Sequence, residues 1–217
     1  MSKKVAIILS GCGVFDGAEI NETVLTALSL DQQGAQVEYF APDITQTTVI
    51  NHQTGEAMSE QRNVLVESGR ITRGKSRDIR ELKAADFDAV ILPGGFGVAS
   101  NLSDFASAGA DCTVQADTLQ AILQFKHAKK PVGLICISPA LSAKIFGEGV
   151  RCTIGTDADT AAVMTKMGAV HEDSAVDGIV GDEANRLVTT PAYMLAQSIS
   201  EAAKGINRLV EQVLSMA

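Results

Sequence analysis

The sequence predicts an α/β protein in which a parallel sheet carries helices on both faces. Short, continuous apolar runs such as 5–9 and 89–92 are typical of strands that are buried on both sides. Between these runs lie longer segments whose apolar residues recur at helical spacing. Strands that alternate with helices form a parallel sheet, because each helix is the crossover that joins one strand to the next.

The composition indicates one globular domain that spans residues 1–217. The chain is 46% hydrophobic but only 4% aromatic, so the predicted core is aliphatic. Its formal net charge is −8 and it has no basic run, which argues against a nucleic-acid partner. No stretch approaches the ~20 apolar residues of a membrane span, and the apolar run after Lys4 is too short for a signal peptide. We therefore expect a cytoplasmic protein with no membrane partner.

Four cysteines, Cys12, Cys112, Cys136 and Cys152, are spread along the chain. No pair has the CxxC spacing, and the chain has 3 histidines, so we expect no metal site. Four cysteines in a chain of 217 residues also do not resemble a secreted disulfide scaffold. The thiols are therefore expected to be free and reduced.

The first strand and helix are indicated by an apolar run and a capping pattern. Residues 5–9 predict the strand, and Asp16 followed three residues later by Glu19 predicts a helix start of the capping-box type. Gly34 is the predicted C-terminal stop of this helix. Residues 37–41 then predict the second strand.

A long polar insertion at about 43–80 follows the second strand. Its sequence is irregular, with a short helix predicted near 59–67. Connections of this length are usually functional or disordered. The next strand, 89–92, ends in the glycine turn 93–97.

The second half of the chain continues the alternation. Asp117 is the predicted cap of a helix that Pro131 ends, and 132–135 is the next strand. Pro139 then opens a helix that runs through Ile145, because proline is favoured in a first helical turn. The remaining predicted elements are a helix over 157–167, short strands near 179–180 and 186–189, and a last helix from about Tyr193.

Two glycine turns follow predicted strands, and they differ in what they indicate. Gly11 and Gly13 resemble the start of a dinucleotide-binding loop, but Asp16 occupies the third glycine position. A carboxylate there would repel the pyrophosphate, so a tight turn is favoured. The turn at 93–95 lies where ligands collect in open α/β sheets. It is either a simple turn or the source of a backbone N–H aimed at an oxyanion.

Cys136 follows the strand 132–135 directly and precedes the helix that Pro139 opens. Such a sharp turn exposes its central residue above the edge of the sheet, as in the serine elbow of α/β-hydrolases. A helix N-terminus nearby predicts a lowered thiol pKa. The alternative is a buried structural cysteine, which we favour for Cys112 and Cys152. Cys12 lies at the end of the first strand, and its role stays open.

A thiol nucleophile needs a group that accepts its proton. His127 should lie on a helix, remote from the strand ends, and the loop residues His52 and His171 cannot be placed from the sequence. Glu19 has a simpler explanation as a capping residue. Glu22 lies one turn further along the same helix, beside the end of the first strand.

Several segments resemble a known superfamily. The run 87–95, with Cys136 at its turn, is similar to the class I glutamine amidotransferase-like (DJ-1/PfpI) superfamily. The segments 10–13, 51–56 and 189–194 resemble its ElbB group in particular. That group is named for enhancing lycopene biosynthesis, and is also called isoprenoid biosynthesis protein with amidotransferase-like domain.

The resemblance implies a flavodoxin-like sheet, a homodimer and a particular set of site residues. Cys136 matches the nucleophile and Glu22 matches the glutamate that contacts it. Gly95 and Ile137 match the oxyanion-hole amides. The remaining candidates are expected only to line the site: Cys12, Glu19, His52, His171 and Thr190.

The resemblance also narrows the chemistry. Members with protease or amidase activity carry histidine directly after the cysteine, where this chain has Ile137. Glutamine amidotransferases carry a later His-Pro-Glu, where this chain has 190–192 as Thr-Pro-Ala. The resemblance then implies the glyoxalase-type activity that is attributed to DJ-1-like and ElbB-like proteins: a glyoxalase III-like lyase acting on small α-oxoaldehydes, glyoxal or methylglyoxal, without any cofactor. A redox-sensing protein that supports isoprenoid biosynthesis is the alternative, and an amidase would return if His52 or His171 reached the thiol.

Overall fold

A computed structural model describes residues 2–217. Its main sheet has seven strands: β1 Lys4–Ile8, β2 Gln36–Ala41, β5 Ser76–Asp78, β6 Ala89–Leu92, β7 Val132–Ile135, β10 Val180–Asp182 and β11 Leu187–Thr190. Their order across the sheet is β10-β11-β7-β6-β1-β2-β5. All neighbours pair in parallel except the edge strand β10, which runs antiparallel to β11. The predicted flavodoxin-like α/β fold is confirmed, with one antiparallel edge strand that the sequence did not reveal.

Eight α-helices lie within residues 2–217. They are α1 Ile20–Gln32, α2 Val64–Thr72, α3 Phe96–Ser100, α4 Phe105–Ala108, α5 Ala116–His127, α6 Ser142–Phe146, α7 Ala158–Lys166 and α8 Ile199–Met216. Successive residues of β1 pack into different layers: Val5 and Ile7 meet α1 and α8, whereas Ala6 and Ile8 lie in the layer of α5. Both faces of the sheet are therefore buried, which is why its strands are continuous apolar runs.

Some helix starts differ from the prediction. Glu19 alone caps α1, and its carboxylate accepts the N–H of Glu22. Asp16 instead accepts the N–H of Ile50 at 2.7 Å. Gln115, rather than Asp117, caps α5.

The last helix also begins later than predicted. Tyr193 lies in a 3-10 turn, Ala192–Met194, and α8 starts only after Ser198. Pro139 likewise lies in a 3-10 turn, Ser138–Leu141, that runs into α6. Short 3-10 turns carry the same apolar composition as the helices they adjoin, so the pattern alone does not separate them.

The segment 43–80 is more regular than predicted. It contains the hairpin β3 Val49–Ile50 and β4 Ala57–Met58, then α2, then the edge strand β5. Asp16 attaches this hairpin to the loop after β1. A second small pair, β8 Arg151–Cys152 with β9 Val170–His171, lies outside the main sheet. Among the helices described, none has the length and apolarity needed to cross a membrane.

Candidate active site

The C-terminal ends of β1, β6, β7 and β11 meet at one edge of the sheet, and Cys136 lies there, directly after β7. Its backbone is left-handed, with φ of 63°, and its N–H donates to the carbonyl of Thr190 at 2.9 Å. A left-handed conformation in a residue other than glycine stores strain of about 1–3 kcal/mol, and such strain is concentrated at functional sites. The side chain is only 7% exposed.

Ser138 joins this turn to the neighbouring strand. Its hydroxyl donates to the carbonyl of Pro93 at 2.9 Å, at the end of β6. The glycine turn that follows Pro93 is thereby held against the turn that carries Cys136.

Glu22 reaches the thiol from α1 and is fully buried. One carboxylate oxygen, Oε2, accepts the N–H of Gly94 at 2.8 Å, and the other, Oε1, accepts the N–H of Tyr193 at 3.2 Å. The Cys136 thiol lies beside this carboxyl group, and each group shifts the pKa of the other. Two fixed backbone donors therefore set the position of the carboxyl group beside the sulfur.

The residue between the two functional groups must be glycine. A Cβ built on Gly94 would lie 2.4 Å from the Cβ of Cys136, 2.9 Å from its Sγ and 2.8 Å from Oε2 of Glu22. Real side chains do not tolerate such distances. The absence of a side chain at Gly94 is what lets the thiol and the carboxyl group meet.

The second donor, the N–H of Tyr193, depends on an unusual backbone. Ala192 precedes it with φ of 43°, fully buried. The phenol oxygen of Tyr193 accepts a hydrogen bond from the Asn21 side chain at 3.2 Å, next to Glu22 in α1. The turn after β11 is thus fixed to the start of α1 by both the backbone and the side chain of Tyr193.

Burial and, to a smaller extent, the nearby charge of Glu19 raise the pKa of Glu22 to about 7. The hydrogen bonds from Tyr193, the thiol and Gly94 act in the opposite direction, because they stabilise the ionised form. A carboxyl group with this pKa changes protonation state near neutrality, which is what a general acid and base requires.

The predicted lowering of the thiol pKa is wrong. Burial raises the pKa of Cys136 well above its usual value, and the adjacent Glu22 carboxylate raises it further. The backbone amides of Gly95 and Ile137 face the sulfur and lower the pKa, but they do not outweigh the burial. The thiol therefore keeps its proton at rest, and a thiolate forms only when that proton passes to Glu22.

A cavity of about 560 Å³ opens onto Cys136. Its walls are mainly apolar, from Val14, Phe15, Phe96, Phe105, Val163 and Met194. Ligand pockets commonly have such a composition, with a few polar groups placed at the reacting centre. Gly95, Ile137 and Cys136 all border this space, so a ligand in the cavity would contact the turn that carries the thiol.

Of the other predicted lining residues, Glu19 borders the cavity and Cys12 and His52 do not. Burial and the nearby Glu67 carboxylate raise the pKa of the Cys12 thiol, which places this residue beside α2. His52 accepts the N–H of Phe15 at Nε2, 3.2 Å, and its Nδ1 lies 3.0 Å from the carbonyl oxygen of Ile50. It thus supports a wall of the cavity from behind.

His171, Thr190 and His127 also lie away from the cavity. His171 accepts the N–H of Ile154 at 3.2 Å. The Thr190 hydroxyl donates to the Gly178 carbonyl at 2.8 Å, so only its backbone supports the site. His127 is the last residue of α5 and is exposed. None of the three histidines of the chain hydrogen-bonds to the thiol in residues 2–217.

Cys112 and Cys152 are buried outside the site, as predicted. Within residues 2–217 no group of three or more His, Cys, Asp or Glu side chains is arranged to hold a metal ion.

Sequence reasoning missed the roles of Gly94 and Tyr193. A pair of adjacent glycines at a strand end is typical of close approach by another group, but it does not indicate which group approaches Gly94. Tyr193 acts through its N–H, which any residue other than proline would supply. No pattern in the sequence distinguishes such a donor.

No protein-family model matches the chain. The rat "ES1 protein homolog, mitochondrial" is 44% identical over 223 residues, spanning 98% of this chain and 84% of the rat protein. The human "Glutamine amidotransferase-like class 1 domain-containing protein 3, mitochondrial" is 43% identical over 223 residues, spanning 98% of this chain and 83% of the human protein. The chain belongs to the class I glutamine amidotransferase-like (DJ-1/PfpI) superfamily.

Solved structures of this superfamily have the same fold. An "isoprenoid biosynthesis protein with amidotransferase-like domain" from Ehrlichia chaffeensis is 37% identical, with a TM-score of 0.93 over 99% of both chains. A DJ-1 superfamily protein from Salmonella typhimurium is 20% identical, with a TM-score of 0.61 over 98% of this chain and 91% of the other. The second likeness concerns the fold alone.

Proposed function

We propose that the protein is a cofactor-independent lyase of the glyoxalase type, which converts α-oxoaldehydes to 2-hydroxy acids. The observation that carries this proposal is the buried pair of Glu22 and Cys136. The pKa of its carboxyl group is raised to about 7, and the carboxyl group lies beside a thiol whose own pKa is raised, so that the thiol is protonated at rest. In such a pair the carboxylate forms the thiolate nucleophile by accepting the thiol proton when a substrate is bound. The same carboxyl group can then move a proton between two adjacent carbons.

The first step is addition of sulfur to the aldehyde carbon. The ionised Glu22 takes the thiol proton while Sγ of Cys136 forms a bond to that carbon, and the C=O electrons move to oxygen. The amides of Gly95 and Ile137 are placed to stabilise the alkoxide. Glu22 then returns the proton to this oxygen, which gives a thiohemiacetal.

The second step moves a hydrogen from one carbon to the next. Glu22 removes the C–H proton of the thiohemiacetal, giving an enediol-like species, and delivers it to the former ketone carbon. The hydroxyl proton of the first carbon passes to the oxygen of the second, so the first carbon is oxidised to a thioester and the second is reduced to an alcohol. Water then hydrolyses the thioester to the 2-hydroxy acid, and the thiol of Cys136 is restored.

The site geometry disfavours the two competing functions. An amidase or protease needs a histidine near the sulfur, and His52 and His171 bind backbone groups elsewhere. A redox sensor needs a thiol of low pKa, whereas burial raises the pKa of the Cys136 thiol well above its usual value. The redox role would be supported only if mild peroxide oxidised Cys136 faster than any α-oxoaldehyde is turned over.

We also propose that the chain belongs to the ElbB group and forms a homodimer. The Ehrlichia structure, described as an isoprenoid biosynthesis protein, supports the group through its similarity along the whole chain. We infer a supporting role in isoprenoid biosynthesis on that basis. The cytoplasmic location stays a prediction, since the rat and human relatives are named as mitochondrial proteins.

The test is the rate of glyoxal and methylglyoxal consumption, with 2-hydroxy acid measured as the product. We expect Cys136→Ala to abolish turnover and Glu22→Gln to lower kcat by about 100-fold or more, since a general base commonly contributes that much. Cys12→Ala is the matched control, because this thiol does not border the cavity, and it should retain full activity. Equal rates in wild type, Cys136→Ala and Glu22→Gln would refute the proposal.

A further inference from the structure

The cavity above Cys136 is much larger than glyoxal or methylglyoxal requires. Its volume is about 560 Å³, within the range of about 300–1,000 Å³ that holds ligands of drug size. A small α-oxoaldehyde bound to Cys136 would leave most of this space filled with water. The space is therefore available for a substituent that extends from the reacting carbonyl.

The walls of the cavity indicate that this substituent is apolar. Phe15 and Phe96 lie at the opening with about half of their surface exposed, at 48% and 51%. Phe105, Val163 and Met194 continue the apolar surface. Large exposed aromatic side chains are costly in water, and a cluster of them beside a reactive group marks a binding surface.

The charges of the cavity indicate which substituents it excludes. Glu19 and Asp159 are the only charged residues that line it in the described part of the chain, and no Lys, Arg or His does. The net charge of the chain, −8, has the same sign. A carboxylate or phosphate on the substrate would have no cationic partner there and would be repelled.

We propose that the site acts on neutral or cationic carbonyl compounds that carry a sizeable apolar substituent, such as an aryl or branched alkyl group, and that it rejects anionic ones. This inference rests on the proposed function for the reaction, but on the cavity for the substrate class. It excludes phosphorylated and diphosphorylated compounds as direct substrates, including those with an apolar chain.

The first experiment compares kcat/KM for methylglyoxal, phenylglyoxal and 4-carboxyphenylglyoxal, each divided by its rate of addition to a small free thiol. We expect phenylglyoxal to exceed both of the others by at least about 10-fold, which is the effect of about 1.4 kcal/mol. Asp159→Lys adds a cation at an exposed position of the cavity wall, and should raise kcat/KM for the carboxylated compound selectively. Equal values for the three compounds, or a preference for the anion, would overturn the proposal.

The second experiment needs no turnover. N-phenylmaleimide and its 4-carboxy derivative alkylate the same sulfur, and mass spectrometry of the peptide that contains Cys136 measures each rate. The neutral reagent should react at least about 10-fold faster at Cys136, whereas Cys12, which is partly exposed, should show a much smaller ratio. If glyoxals are not consumed but Cys136 still reacts faster with the neutral maleimide, the proposed reaction is refuted and the proposed ligand class is supported. If glyoxals are consumed but the ratio of the neutral to the carboxylated maleimide rate is the same at both cysteines, the proposed substrate class is refuted.

Discussion

The carboxyl group of Glu22 is ionisable and fully enclosed by protein. Its pKa is about 7, against an ordinary value of 4.5. Between these two pH values the folded protein holds a proton that the unfolded chain has released. The free energy of unfolding therefore falls as pH rises through this window, because ionisation is easier in the unfolded chain.

The titration of Glu22 can be measured as a difference in the free energy of unfolding between wild type and Glu22→Gln. From pH 4.5 to 7.5, wild type should lose about 3 kcal/mol of unfolding free energy relative to Glu22→Gln, since each unit of pKa corresponds to about 1.36 kcal/mol. Urea denaturation at a series of pH values measures it. The variant will be less stable at low pH, because an amide accepts only one of the two N–H groups from Gly94 and Tyr193, so the pH dependence is the diagnostic quantity.

Glu19→Gln is the control for this measurement. It removes the neighbouring charge that raises the pKa of Glu22, and an amide oxygen can still cap α1. The loss of stability should then end at a lower pH than in wild type. A constant difference between wild type and Glu22→Gln across the whole range would contradict a raised pKa.

At the scale of secondary-structure elements, the turn between β6 and α3 determines whether the site forms. Gly94→Ala should cost about 1–3 kcal/mol, typical of overpacking, and abolish activity, because the new Cβ collides with Cys136 and Glu22. Gly181→Ala in β10 is the matched control, since nothing lies within 4 Å of the Cβ it adds. Thermal denaturation and the glyoxal assay distinguish the two. Full activity in Gly94→Ala would show that the turn is not packed as described.

The strands were the most predictable elements. The runs 89–92 and 132–135 are β6 and β7 with no change of bounds, because strands buried on both faces are uniformly apolar. The start of α8 was misplaced because residues 192–194 are as apolar as a helix, although Ser198 with Glu201 forms the capping pattern that marks the true start. β10 could not be oriented, since strand direction depends on the course of the chain and not on composition.

The candidate site was predictable in its side chains and not in its backbone. Cys136 and Glu22 were identified from the strand-to-helix turn and from the family resemblance, and they lie together. The state of the thiol was not predictable, because a helix end nearby suggests a low pKa and only the folded structure reveals the enclosure that raises it. Groups supplied by the main chain, such as the N–H of Tyr193, leave no mark in a sequence.

At the scale of the whole molecule, α1 presents an apolar stripe to solvent. Ile20, Val24 and Leu28 are all exposed and lie four residues apart on one face. A stripe of this kind can pack against the same stripe of a second copy related by a two-fold axis. The stripe supports the proposed homodimer.

Val24→Glu should therefore convert the dimer to a monomer, because it places a charge in the middle of the stripe. Light scattering after size-exclusion chromatography measures the mass. Val66→Glu on α2 is the control: Val66 is 67% exposed, against 49% for Val24, and has no such stripe around it. If both variants keep the mass of wild type, α1 does not form the interface.

The site combines chain segments that are far apart in sequence. Glu22 comes from near the start of the chain, Gly94 and Cys136 from its middle, and Tyr193 from near its end. A ribosome makes these segments in order, so a chain still under synthesis holds Glu22 and Cys136 before the amide of Tyr193 exists. The paired thiol and carboxyl group can be completed only after residue 193 has been synthesised. Nascent chains that stop short of that residue would therefore carry an ordinary cysteine, and its special chemistry would appear only once the turn after β11 has folded against α1.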